Sequence, residues 1–330
     1  MADFEQLVDL ASERLGGAAL WATDDFFAPK ENLLRAGPAV FVPDRYTERG
    51  KWMDGWESRR RRVSGHDWCL IRLGLAGVIR GVDVDTSHFL GNAPQACSLD
   101  AQHLQGYQLT ESLIADETSW TEILPRTPVK PGAHNLLSIS GDETWSHVRL
   151  HIYPDGGVAR LRLYGDVTPN WEQILGERRL VDLAALENGG TVLSASDELF
   201  SGRQNLIMPG RSQSMSDGWE TRRRRGPGHD WAVLKLGRPG KLIRVEVDTT
   251  HFKGNFPESC SLEGGFAASG SSLPEQWREI LPQTQLQAHS SHVFERELLD
   301  VGPISHARLN IFPDGGVARL RLFGEPTPMR

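Results

Sequence analysis

The chain has 330 residues, three cysteines and a formal charge of −7, a length that suits two domains and a charge that opposes wholesale attraction to nucleic acid or an anionic membrane. Cys69, Cys97 and Cys260 are odd in number and form no C-x-x-C pair, which implies a reduced, cytoplasmic protein without a disulfide framework. Nothing approaches the run of roughly 20 apolar residues that spans a bilayer, and the first residues lack the basic start and apolar run of a secretion signal, so export and a membrane partner are not expected.

In chain order, Phe4, Leu7, Ala11 and Leu15 fall at helical spacing and predict one short amphipathic helix before each sheet region. Asp54-Gly55-Trp56-Glu57-Ser58-Arg59-Arg60-Arg61-Arg62 follows, with Gly65-His66-Asp67-Trp68 close behind. Between Val78 and Asp85, Val82 and Val84 alternate with Asp83 and Asp85, the pattern of a half-buried strand. The strand runs into Val84-Asp85-Thr86-Ser87-His88-Phe89-Leu90-Gly91-Asn92, where polar types appear as it leaves the core. Val148, Leu150 and Ile152 alternate with Arg149 and His151, Pro154-Asp155-Gly156-Gly157 supplies turn chemistry, and Leu161 and Leu163 alternate with Arg160 and Arg162. These segments predict a β-hairpin. At Thr168-Pro169-Asn170-Trp171-Glu172, Pro169 breaks the strand and Asn170 is available as an N-cap, so the expected domains are 1–168 and 169–330.

The second half repeats the first. Val181-Asp182-Leu183-Ala184 copies Val8-Asp9-Leu10-Ala11 at an offset of 173. The offset is 163 for Asp217-Gly218-Trp219-Glu220-Thr221-Arg222-Arg223-Arg224-Arg225, for Gly228-His229-Asp230-Trp231 and for Val247-Asp248-Thr249-Thr250-His251-Phe252-Lys253-Gly254-Asn255. It is 159 for Pro313 to Leu322. Such drift belongs in surface loops. Many short strands, frequent Gly and Pro, and no βαβ rhythm predict an all-β protein of two tandem antiparallel sandwiches or jelly rolls.

Four adjacent arginines cannot all be buried without partners. In an extended segment alternate residues share a face, so Arg60 with Arg62, and Arg223 with Arg225, form a pair able to grip a carboxylate, while the others are free for structural ion pairs. Acid, hydroxyl, imidazole and amide in Asp85 to Asn92 could bind a polar ligand and move a proton; the competing reading is a turn whose Asp and Asn satisfy local backbone. His66-Asp67 and Asp85-x-x-His88 are weak as metal ligands, with no H-E-x-x-H, paired cysteines or EF-hand loop, so no metal or cofactor is expected. No G-x-S-x-G elbow is present. The tryptophans at 56, 68, 219 and 231 are read mainly as core or pocket wall, and as a sugar platform in the rival reading of a binding module.

Taken together and in duplicate, the DGWE(S/T)RRRR, GHDW and VDTxHFxGN blocks resemble the allantoicase family, over Val8 to Pro328. The resemblance implies two jelly-roll repeats similar to galactose-binding or discoidin-type modules, a homo-oligomer, and a hydrolase that converts allantoate to ureidoglycolate and urea. On that footing Glu57, His66, Asp67 and His88, with Glu220, His229, Asp230 and His251, are the expected acid, base and ureido-binding groups. Asp54, Arg60, Arg62, Asp85, Thr86 and Asn92, with Asp217, Arg223, Arg225, Asp248, Thr249 and Asn255, are the expected substrate-binding groups. The alternative is a non-catalytic module for a carbohydrate or other small polar ligand.

Overall fold

The computed structural model describes residues 3–104, 106, 108–116, 119–177, 180–267 and 272–328 and divides into two units, Met1–Thr168 and Pro169–Arg330. The strands of the first are β1 (Val8–Asp9), β2 (Ala18–Ala22), β3 (Tyr46–Thr47), β4 (Gly50–Lys51), β5 (Trp56–Glu57), β6 (Asp67–Asp85), β7 (Ala96–Gln102), β8 (Thr121–Pro128), β9 (His134–Ser138), β10 (Trp145–Tyr153), β11 (Gly157–Val158) and β12 (Arg160–Val167). Strand β6 is the spine. Its first half pairs with β2 and β10 and its second half with β9 and β12, all antiparallel. From β10 the sheet extends to β7 and β8, and from β12 to β1. Cys69 and Ile71 of β6, Leu99 of β7, Val148, Leu150 and Ile152 of β10, and Leu161 and Leu163 of β12 are fully buried in one core. Burying each such aliphatic side chain contributes about 1.5–3 kcal/mol, which explains why apolar residues recur at every second position in β10 and β12.

Two sequence expectations are corrected. Residues 4–15 are not one amphipathic helix but two short 3-10 turns, Asp3–Gln6 and Glu13–Leu15, on either side of β1. Val8 and Asp9 pair with Gly165 and Tyr164 of β12, and the Asp9 carboxylate accepts from the Ala11 and Leu163 amides at 3.2 and 3.0 Å. A partner more than 150 residues away supplies the backbone bonds that a helix would otherwise make. Nor do β10 and β12 pair as a hairpin. They lie on either side of β6, and the Pro154–Gly157 turn carries the chain between them. Just beyond it β11 pairs with β5, Gly157 opposite Glu57 and Val158 opposite Trp56.

The second unit contains β13 (Val181–Asp182), β14 (Thr191–Ala195), β15 (Trp219–Glu220), β16 (Asp230–Asp248), β17 (Ser259–Gly265), β18 (Arg278–Gln285), β19 (Ser291–Phe294), β20 (Ile304–Phe312), β21 (Gly316–Val317) and β22 (Arg319–Pro326). Its strand order, β13-β22-β16-β20-β17-β18 with β14 and β19 on β16, repeats the first. Two α-helices are described, α1 (Thr110–Ala115) and α2 (Trp171–Glu177). The Gln173 amide donates to Asn170 Oδ1 at 3.0 Å, so Asn170 caps α2. No helix among the described residues is long and apolar enough to cross a membrane, and all three cysteines are free and buried. The units differ in length between Leu34 and Asp54. Leu34 to Asp54 spans twenty positions, whereas Ile207 to Asp217 spans ten; the extra residues carry the β3–β4 hairpin.

Candidate functional site

The arginine runs lie outside helices and strands, and their ion pairs alternate. The Arg59 amide and guanidinium bond the Asp24 carboxylate at 3.0 and 2.6 Å. Arg61 donates its amide to Asp155 at 2.7 Å and its guanidinium to Asp67 at 2.6 Å. The copies agree, with Arg222 on Asp197 and Arg224 on Asp314 and Asp230. Burial opposes ionisation of Asp24, yet the bonds from Arg59 hold its carboxyl below the usual range. Arg60, Arg62, Arg223 and Arg225 are exposed and make no ion pair among the described residues. In the second unit, Arg222 to Arg225 line a hollow of about 340 Å³ together with Asp197 and Asp230.

Several residues expected to bind substrate are committed to the fold. Asp54 is buried; its carboxylate accepts from Arg160 at 2.7 Å, from the Val40 amide at 2.9 Å and from Arg35 at 3.4 Å. Although burial pushes the other way, these partners hold its carboxyl below the usual range. Asp217 is tied to Arg319 at 3.0 Å and to the Gln213 amide at 2.9 Å. Thr86 is fully buried, donating to the Lys130 and Ala133 carbonyls, and Thr249 does the same with Gln287 and Ser290. Asp85 and Asp248 accept the Ser87 and Thr250 amides at 2.8 Å each. Asp54, Thr86 and Thr249 are thereby buried and bonded within the fold, while Asp85, Asp217 and Asp248 serve local turn or ion-pair contacts. Asp67 and Asp230 are likewise buried anchors, each also bonded by a hydroxyl, Thr23 or Ser196, at 2.9 Å.

What the folding brings together is Glu57 with Asn92 and Glu220 with Asn255. Asn92 Nδ2 donates to Glu57 Oε1 at 2.6 Å, and Asn255 bonds Glu220 in the same way. Phe89, between strand end and amide, is fully buried against Gly55 and Gly157; a Cβ on Gly157 would lie 2.1 Å from its ring, which is why glycine stands there. His88 takes a left-handed backbone, φ 72°, as does His251 at 75°, a conformation that costs a non-glycine residue about 1–3 kcal/mol. Glu57, Asn92 and His88 line one cavity of about 370 Å³, with Phe27, Phe41 and Lys51 among its other walls. Glu220, Asn255 and Arg223 line another of about 460 Å³ in the second unit, with Phe200, Glu258 and Asp314. Both volumes fall within the range of small-molecule sites. Burial raises the Glu57 carboxyl above its ordinary value, and the Asn92 bond offsets this in part.

The cavities differ in their histidines. His88 Nε2 lies 3.2 Å from the Ala39 carbonyl and its ring stacks on Phe41. His251 does not line the second cavity; its Nε2 lies 3.0 Å from the Ser212 carbonyl and its amide donates to His289. His66 and His229 line neither cavity. His66 Nε2 is 2.9 Å from His151 Nδ1, and His151 Nε2 is 3.0 Å from Asp100. Burial, then His151 and Arg61, lower the His66 pKa. His229 instead faces Phe312. Trp56 and Trp219 are fully buried, each donating its indole N–H to a carbonyl, of Asp24 or Asp197, at 2.8 Å, so neither is a stacking platform. Among the described residues no group of three or more His, Cys, Asp or Glu is placed to hold a metal ion.

The sequence reading missed Lys51, Phe41 and the Phe27/Phe200 pair. Only the last carried a signal, since Asp24 and Phe27 recur as Asp197 and Phe200 at the offset of 173.

A family model described as the allantoicase repeat matches residues 8–168 and again 181–327. A probable allantoicase of Photobacterium profundum is 50% identical over 327 residues, 98% of this chain and 97% of that protein. One from Pseudomonas aeruginosa is 49% identical over 330 residues, covering 98% of each. The crystal structure of allantoicase from Saccharomyces cerevisiae superimposes with a TM-score of 0.83 at 35% identity, over 98% of this chain and 96% of that one. With both repeats matched and the similarity running through nearly the whole of each relative, the chain belongs to the allantoicase family.

Proposed function

We propose that the chain hydrolyses allantoate to ureidoglycolate and urea, with the Glu57 and Glu220 cavities as the sites of reaction. The observation that carries the site assignment is the duplicated Glu–Asn pair on a cavity wall, the one acid in each repeat's motif whose carboxylate meets an amide at a cavity rather than an arginine in the fold.

Allantoate bears two ureido groups and a carboxylate on one carbon. A carboxyl on the wall gives its proton to the nitrogen of one ureido group. The lone pair of the other expels urea, breaking the C–N bond and leaving a C=N bond. Water adds to that carbon and returns a proton to the carboxylate, giving ureidoglycolate. One proton is given and one taken back, so a single carboxyl serves both steps. The raised pKa of Glu57 suits this double duty, because it enlarges the protonated fraction near neutral pH. The Asn92 amide holds that carboxyl in one orientation. His88, donating Nε2–H to the Ala39 carbonyl, keeps Nδ1 as an acceptor for a ureido N–H. In the second cavity Arg223, without an acidic partner among the described residues, is available to the substrate carboxylate.

The test is urea release from allantoate by Glu57→Gln, Glu220→Gln and the double variant. The double variant is expected to lose at least 100-fold in kcat, in keeping with the size of general acid–base contributions, about 10²–10⁴-fold. Wild-type turnover in the double variant would place the chemistry elsewhere.

A further inference from the structure

We infer that Lys51, carried by the hairpin present only in the first unit, is the cation that takes the substrate carboxylate in the Glu57 cavity. This rests on the cavities being the reaction sites, as proposed above.

A cavity whose ionisable wall is a glutamate repels a carboxylate substrate unless a cation stands opposite. In the second cavity Arg223 is on the wall. Its first-unit counterpart, Arg60, does not line the Glu57 cavity; Lys51 does. Of the nearby cations, Lys30 is engaged by Asp25 and Glu31, Arg59 by Asp24 and Arg61 by Asp67, while Arg45 and Arg49 of the same hairpin lie over the Trp52 and Phe26 rings and do not line the cavity. Lys51 has no carboxylate partner among the described residues. Its described contact is the Phe41 ring, with Nζ 4.5 Å from the centroid, and Phe41 in turn stacks on His88. Ammonium, phenyl and imidazole thus form one contiguous group lining the same cavity as an acid and an amide.

The hairpin is fixed where it has to be for that role. Arg49 donates to the Phe26 carbonyl at 3.0 Å and lies over the Phe26 ring. The Trp52 amide donates to the Arg45 carbonyl at 3.0 Å. The Val40 amide is held by the buried Asp54 carboxylate. Residues on both sides of Lys51 are therefore anchored while its own charge is left open. The second unit, ten positions shorter here, has no such hairpin, so the two cavities hold the same substrate group with different cations. An ammonium reads charge and an arginine fork reads carboxylate geometry.

The experiment uses the full-length Glu220→Gln protein, so that turnover reports the first cavity, and compares Lys51→Met and Lys51→Arg in that background. Lys51→Met is expected to raise KM for allantoate at least tenfold with kcat within threefold and an unchanged melting temperature, and Lys51→Arg to keep KM within threefold. An unchanged KM in Lys51→Met overturns the assignment. So does an equal rise in both variants, which would assign the effect to hairpin packing, and so does loss of all turnover in Glu220→Gln alone. If Glu57→Gln/Glu220→Gln retains turnover, the site reading fails first and this inference with it.

Discussion

Replacing Arg61 by alanine should destabilise the first unit, while the same change at Arg60, its immediate neighbour, should not. Asp67 lies at the start of the spine strand with 3% of its side chain exposed, and Arg61 meets it at 2.6 Å. Removing one partner of a fully buried ion pair costs about 3–5 kcal/mol, because the other charge is stranded. Two features reduce that here. Arg61 keeps 28% of its side chain exposed, so water already screens part of the interaction, and the Thr23 hydroxyl stays on Asp67 at 2.9 Å. About 2 kcal/mol is therefore expected. For a unit of this size, each kcal/mol moves the melting temperature by about 2–4 °C, giving a fall of about 4–8 °C by calorimetry. Arg60→Ala, at an exposed position without an ion pair, should stay within about 0.5 kcal/mol. Arg61→Ala/Asp67→Asn should recover part of the loss, since the stranded charge is gone. Equal melting of the two single variants would refute the division of the run into anchoring and free arginines.

Burial raises Asp9 and Asp182 to about 6. Between their unfolded values near 4 and about 6 the native chain binds more protons than the unfolded chain, so stability falls as pH rises through that window and levels above it. Denaturant titrations across pH 4–7 should show a smaller fall in Asp9→Asn/Asp182→Asn, and a larger one would contradict the assignment. Asn92→Ala removes a bond that favours ionised Glu57, so the alkaline limb of kcat/KM, where the proton-donating form of Glu57 is lost, should move to higher pH when measured with Glu220→Gln; a downward move would refute the pairing. His151→Asn, which copies the second unit's Asn310, removes one of the influences that depress His66. The His66 pKa followed by NMR should rise, while remaining depressed by burial, and a further fall would show that the two rings are not coupled as described.

The duplicated motifs were a better guide to the site than to the way its parts connect. Alternation in Val148–Ile152 and Leu161–Leu163 identified the inward faces, since burial acts on each side chain locally. It could not say that β10 and β12 flank β6 rather than each other, because alternation carries no information about which strand is the neighbour. The same limit applied at residues 4–15, where helical spacing competed with a distant edge pairing. Within the site, the arginines alternate in their ion pairs, Arg59 on Asp24 and Arg61 on Asp67, while Arg60 and Arg62 make none among the described residues. The motif acids were harder to sort. Asp54, Asp85 and Glu57 look alike in sequence, and only their neighbours in space, Arg160, the Ser87 amide and Asn92, separate anchor, turn and cavity wall.

By itself the sequence determined the duplication, the all-β class, the family and the residue types at the site, because repeat register, periodicity and motif order are written along the chain. The tertiary structure decided which of those residues face a cavity, and it alone joined Lys51, Phe41 and His88 to Glu57. An unrepeated hairpin leaves no pattern to read. A side chain acquires a role there only when segments distant in sequence close around the same space.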